Sequence, residues 1–160
     1  MEEKEIALKL VLDAIGEDTS ISSVDDRVRL QKAVYICQEL GIPLGYNYSW
    51  YVKGPYSTSL TQDYYSLNSA LSSGDNNAHG LALNSSLNDR VAVARSCLAL
   101  PTNVQVLKHH WLEALCSLHY LLKHSRKSYE EAVTFLGTVK PHLNNVVPVA
   151  HARLQSVGLA

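Results

Sequence analysis

Apolar residues recur at helical spacing along most of this chain, and the period shortens to two only once, between Tyr46 and Lys53. There the run YNYSWYVK alternates Tyr46, Tyr48, Trp50 and Val52 against Asn47, Ser49, Tyr51 and Lys53, and it is rich in the aromatic and β-branched residues that suit a pleated surface. Gly54-Pro55 ends it, because glycine tolerates backbone angles closed to other residues and proline presets φ for a turn. One strand or small hairpin must therefore be fitted into an otherwise helical body.

The helical segments follow from apolar spacing and stop signals. Residues 3–15 place Ile6, Leu10, Val11, Ala14 and Ile15 on one face before Gly16. A second helix starts near Asp25 and Asp26, whose carboxylates suit a helix N-terminus. It runs through Val28, Leu30, Val34, Ile36, Cys37 and Leu40 to Gly41 and Pro43. After the Gly-Pro turn, Ser57 or Ser59 can cap a third helix; Ser59 with Gln62 fits a capping box, and Leu60, Tyr64, Leu67 and Leu71 form its inner stripe. Residues 72–80, SSGDNNAHG, read as a mobile loop that tolerates insertion. Leu87, Val91, Ala94 and Leu98 mark a fourth helix, and a long central helix spans 103–123 with Val104, Leu107, Trp111, Leu115, Leu118 and Leu122 inward. Ser128 and Glu131 form a capping box for the next helix, Pro141 ends it, and a last helix follows Asn144 or Asn145 to Leu154. The expected fold is mainly α: a compact bundle of six to seven helices with one short strand or small hairpin, in a single domain covering residues 1–160.

Charge and motifs narrow the function. A formal charge of −1 gives no bulk attraction to polyanions, and no apolar stretch approaches the ~20 residues needed to span a bilayer. The start MEEKEIALKL lacks the basic flank and apolar centre of a secretory signal, so a cytoplasmic location with no membrane association is expected. Cys37, Cys97 and Cys116 are far apart and lie in apolar helical contexts, which suits buried thiols. The seven histidines include no HExxH or HxH and no acidic partner at ligand spacing, so neither a metal nor another cofactor is expected. The chain also lacks a nucleophile elbow, a phosphate loop and a dinucleotide fingerprint, and no catalytic residue is assigned. An unfamiliar active site would require His109, His110 or His119 to meet a carboxylate.

Two features remain for binding. Tyr46, Tyr48, Trp50, Tyr51, Tyr56, Tyr64 and Tyr65 put seven of the chain's twelve aromatics within twenty residues. The alternation sends Tyr46, Tyr48, Trp50 and Val52 inward, leaving Tyr51 and Tyr56 for a binding surface. Between residues 89 and 127, Arg90, Arg95, Lys108, Lys123, Arg126 and Lys127 face only Asp89 and Glu113, the one local excess of positive charge and the alternative, nucleic-acid-binding surface.

The string RLQKAVYICQELGI, residues 29–42, with SWYVKGPYSTSLTQDYYSL, residues 49–67, resembles the SocA-like group of small prokaryotic and phage proteins, which includes the Panacea antitoxin domain and YwgA-type proteins. Leu30, Gln31, Lys32, Tyr35, Trp50, Tyr51, Gly54, Pro55, Tyr56, Ser57 and Leu60 carry the likeness. WLEALCSLHYLLK and KPHL resemble the YwgA-type tail. The resemblance implies a non-enzymatic helical domain that holds a toxin or effector protein, in an antitoxin-like role or within a phage-defence or counter-defence complex. Tyr51, Lys53, Gly54, Pro55, Tyr56, Ser57, Gln31 and Lys32, with the outer side of the Arg29–Gln38 helix, are the expected partner-binding residues. Gln31 could instead brace the turn and Lys32 simply be solvated. Homo-oligomerisation stays open.

Overall fold

A computed structural model describes residues 1–160. Seven α-helices run in the order α1 (Glu3–Ile15), α2 (Val24–Glu39), α3 (Thr58–Ser72), α4 (Asn88–Leu98), α5 (Lys108–Lys123), α6 (Tyr129–Val139) and α7 (Val147–Ser156). Between α2 and α3, β1 (Ser49–Tyr51) and β2 (Gly54–Tyr56) pair antiparallel, with Ser49 opposite Tyr56, Trp50 opposite Pro55 and Tyr51 opposite Gly54. No helix is long and apolar enough to cross a membrane.

The bundle is organised around α2 and α5. Every residue from Leu30 to Cys37 is buried, and α5 buries all residues from Trp111 to His119 together with Leu121. A helix covered on all sides normally carries apolar residues all round. These two bury Gln31, Lys32, Glu113, Ser117 and His119 as well, so each of those polar groups must find a partner inside the core or leave a hydrogen bond unmade. Gln31 and Lys32 find theirs on the backbone at the hairpin, Glu113 on Lys140 and His142, and His119 on Tyr35. All three cysteines are free and buried, and desolvation pushes the Cys37 and Cys97 thiols up to about 12 and about 11. Thiols held that far above neutrality are inert nucleophiles.

Several local expectations shift. The buried face of α1 is Leu8, Val11, Leu12 and Ile15, because most positions of this helix are apolar and the neighbours decide which of them are covered. Regular strand structure starts only at Ser49; Tyr46 and Tyr48 precede it and pack on the core from irregular backbone. Val52 is 87% exposed at the hairpin tip, since the chain reverses there and the alternation stops. Ser57 caps α3 by accepting from the Leu60 N–H, which places Ser59 inside the helix. α5 begins at Lys108, so Leu107 is its exposed N-cap. Ser72 belongs to α3, and the loop after it is tied back by a 2.5 Å ion pair from the Met1 amine to Asp75.

Candidate functional site

The backbone from Val52 to Ser57 is held by three buried side chains, the adjacent Gln31 and Lys32 of α2 and Lys140 after α6, and is packed against a fourth, Ser117. The Gln31 amide donates to the Ser57 carbonyl and accepts from the Ser57 N–H, both at 2.9 Å. Lys32 donates to the Pro55 carbonyl at 2.5 Å. Lys140, itself buried, donates to the Val52 carbonyl and pairs with Glu113 at 2.8 Å. Ser117 lies against Gly54, whose φ of +92° favours glycine and whose Cα has no room for a methyl beside the Ser117 hydroxyl. Gln31, Lys32 and Lys140 are each matched to a backbone atom and fix one geometry, since any shift would strand them unpaired.

These contacts correct the expected binding set. Gln31 and Lys32 are each 1% exposed, so the solvated alternative for Lys32 fails. Burial pushes the Lys32 ammonium down to about 8. Gly54, Pro55 and Ser57 are buried too, and α2 presents no outer side between Leu30 and Cys37. These residues build the hairpin, and of them only Gln31 and Lys32 also border the groove beside it. Tyr51, at 47% exposure, and Lys53 remain at the surface, and Tyr56 is half-buried with its hydroxyl bonded to Thr61. Tyr51 stacks edge-on against Tyr56, ring centroids 5.1 Å apart. On the other side of the hairpin, Trp50 packs against Tyr120 and Phe135, which anchors it to α5 and α6.

Between the hairpin and the first turns of α2 lies a groove of about 290 Å³. Val24, Val28, Tyr51, Val52, Tyr56 and Tyr64 supply its apolar lining; Arg27, Lys32 and Lys53 contribute three cations, and no carboxylate lines it. Val24, Arg27, Val28, Val52 and Tyr64 were not among the expected binding residues. The exposed Val24 and Val52 were the available signal, but both sit at the ends of elements, where periodicity loses its meaning.

The alternative, cationic surface is largely committed to internal contacts. Arg90 donates to the Gly41 carbonyl, Arg95 to Ala14, and Lys108 to Leu98 while also pairing with Glu17. Lys123 pairs with Glu39 at 2.8 Å, and Lys127 lies over the Phe135 ring. Arg126 occupies a turn with φ of 54°. Cations placed on carbonyls at helix ends complement the helix dipole and satisfy acceptors that have no intrahelical donor.

The fold also brings histidines to carboxylates, most of them from distant parts of the chain; His110 and Glu113 are neighbours three residues apart on α5, a spacing the sequence did display. His110 and His142 meet Glu113, His119 and His124 meet Glu39, and His109 lies 3.6 Å from Asp25. Desolvation pushes the buried His119 down to about 4, so it is a neutral imidazole near pH 7.

No family model, no curated protein and no solved structure matches this chain.

Proposed function

We propose that the chain is a non-enzymatic protein-binding module that takes a segment of a toxin or effector protein into the groove between the hairpin and the first turns of α2. The observation that carries this reading is the exposed apolar tip, Tyr51 and Val52, on a hairpin whose backbone is fixed from Val52 to Ser57 by buried polar side chains. Rigid presentation lowers the entropy lost on association, and aromatic residues beside a groove are frequent anchors of interface energy. Arg27 and Lys53 on an apolar lining favour an occupant with both apolar and acidic side chains. The resemblance of the Gln31-Lys32 and Gly54–Ser57 strings to the SocA-like group supports the same function.

Co-expression with the product of the adjacent gene, followed by purification on a tag carried by this chain, tests the proposal. A stable complex with the wild type that is lost in Tyr51→Ala and Val52→Asp is expected. Undiminished complex formation by both variants, with folding checked by circular dichroism, would reject the groove as the binding surface.

A further inference from the structure

We propose that Glu39, His119 and His124 form a binding site for one divalent transition ion of the zinc class, joining the C-terminal ends of α2 and α5. Glu39 is the last residue of α2, His119 lies in the second half of α5, and His124 follows its last turn. One ligand atom from each residue can be chosen so that all three lie within 4.8 Å of one another. Ligands at about 2.0–2.1 Å from a tetrahedral ion stand roughly 3.3 Å apart, so small side-chain rotations bring these three onto a common centre.

The chemistry of His119 points to a ligand. Its Nδ1 is engaged by the Tyr35 hydroxyl at 2.7 Å, while its Nε2, although fully buried, has no hydrogen-bond partner. An unpaired buried nitrogen gives up its hydration with nothing in return, which a folded chain rarely tolerates. A metal-ligating histidine commonly gives its other ring N–H to an oxygen, fixing the tautomer that turns a lone pair toward the ion. Tyr35 is placed to accept in that way. Glu39 offers Oε1, now 2.8 Å from His124 Nε2, while Oε2 is held by Lys123 at 2.8 Å. Two imidazoles and one carboxylate suit zinc, nickel or cobalt and are too nitrogen-rich for magnesium or calcium. His124 is exposed, so the ion has an entry path and a fourth position open to water.

The second grouping, His110, Glu113 and His142, serves as the internal contrast. In both groupings a lysine and a histidine take the two carboxylate oxygens, and the difference is that this one contains no orphaned buried nitrogen. The proposed ion site is separate from the protein-binding groove: Glu39 lies seven residues beyond Lys32, the last α2 residue to border the groove, roughly 10 Å along the helix axis at 1.5 Å per residue.

The test is titration of chelator-stripped full-length protein with zinc against a chromophoric chelator, with cobalt spectra reporting coordination geometry. The expected result is one equivalent bound, a tetrahedral or five-coordinate cobalt spectrum, and a thermal midpoint that rises with zinc concentration. Glu39→Gln and His124→Asn, which alter partly exposed side chains, are expected to abolish stoichiometric binding, whereas His142→Asn retains it. Tyr35→Phe is expected to lower affinity about 10–100-fold while keeping the stoichiometry, as loss of an outer partner does. No stoichiometric uptake by the wild type, or uptake that survives Glu39→Gln and His124→Asn together, would overturn the proposal.

Discussion

The Gln31 side-chain amide and the Ser57 backbone exchange two hydrogen bonds of 2.9 Å across 26 residues of sequence. The glutamine acts as a one-residue strand, pairing with the chain where β2 passes into α3. The Gln31-Lys32 dipeptide and the Gly54–Ser57 turn, separate motifs in the sequence, are thus two halves of one buried joint.

Removing the amide should therefore loosen the hairpin and the binding groove together. Gln31→Ala strands the Ser57 N–H in the core, while the Ser57 carbonyl keeps the Thr61 N–H, and is expected to cost about 1–3 kcal/mol, read as a lower urea midpoint. Partner binding should weaken in the same variant although the side chain is buried. A midpoint within experimental error of the wild type would show that the joint is dispensable.

Lys32 gives a pH signature with a defined sign. Its folded-state pKa is about 8, against 10.5 for the ordinary side chain, because burial penalises the ammonium. Between those values the unfolded chain binds the proton and the folded chain does not, so this residue makes stability rise with pH from about 8 to 10.5. The full effect is on the order of 3 kcal/mol. Raised thiol and phenol pKa values act in the opposite direction at high pH, so the quantity to measure is wild type minus Lys32→Met. That difference should move in favour of the wild type as pH increases, and a flat difference would contradict the buried ammonium.

Gly54 has two independent reasons to be glycine, a φ of +92° and the Ser117 hydroxyl where a Cβ would stand. Gly54→Ala is expected to cost about 2–4 kcal/mol, combining backbone strain with overpacking. In the double variant with Ser117→Ala the steric part should return and roughly 1–2 kcal/mol of strain remain. Chemical denaturation of the three variants separates the two contributions; equal loss in the single and double variants would assign the whole cost to the backbone.

The mainly helical bundle with its small hairpin was legible because apolar spacing, Gly16, the Ser128–Glu131 box and Pro141 are local signals. The turn was legible for the same reason. That α2 is covered all round was not, since Gln31 and Lys32 interrupt its apolar pattern and polar residues read as surface until their partners are known. Those partners lie 23 to 26 residues away. The hairpin was expected only as an alternative to a lone strand, because Gly54 and Pro55 are poor strand formers, and they pair with β1 because the core grips their backbone. His110 and Glu113 stand at helical i, i+3 spacing and were legible, whereas Glu39 reaches His124 across 85 positions and His142 reaches Glu113 across 29, which no spacing rule covers.

With its arginines and lysines largely held on carbonyls and carboxylates, the segment from Arg90 to Lys127 should bind polyanions weakly. Electrophoretic mobility of operon DNA is expected to be unchanged by the protein at about 150 mM salt. A shift that weakens as salt rises would restore the nucleic-acid alternative.

The C-terminus of α4 shows most directly what such cations do. Arg153 from α7 approaches the carbonyls of Ser96, Cys97 and Ala99 at 2.7–2.8 Å and lies 5.0 Å from the Trp111 ring, while Lys108 takes the Leu98 carbonyl at 2.7 Å. The final carbonyls of a helix have no donor of their own, so two cations brought from later in the chain complete its end and oppose its dipole. Arg153→Met preserves much of the packing against Trp111 but removes the donors. It is expected to cost about 2 kcal/mol, with Arg153→Lys recovering part of the loss. Hydrogen exchange should show the change first in the last turn of α4, because its exposed carbonyls would then rely on water. Loss of protection confined to α7 would mean instead that Arg153 serves only its own helix.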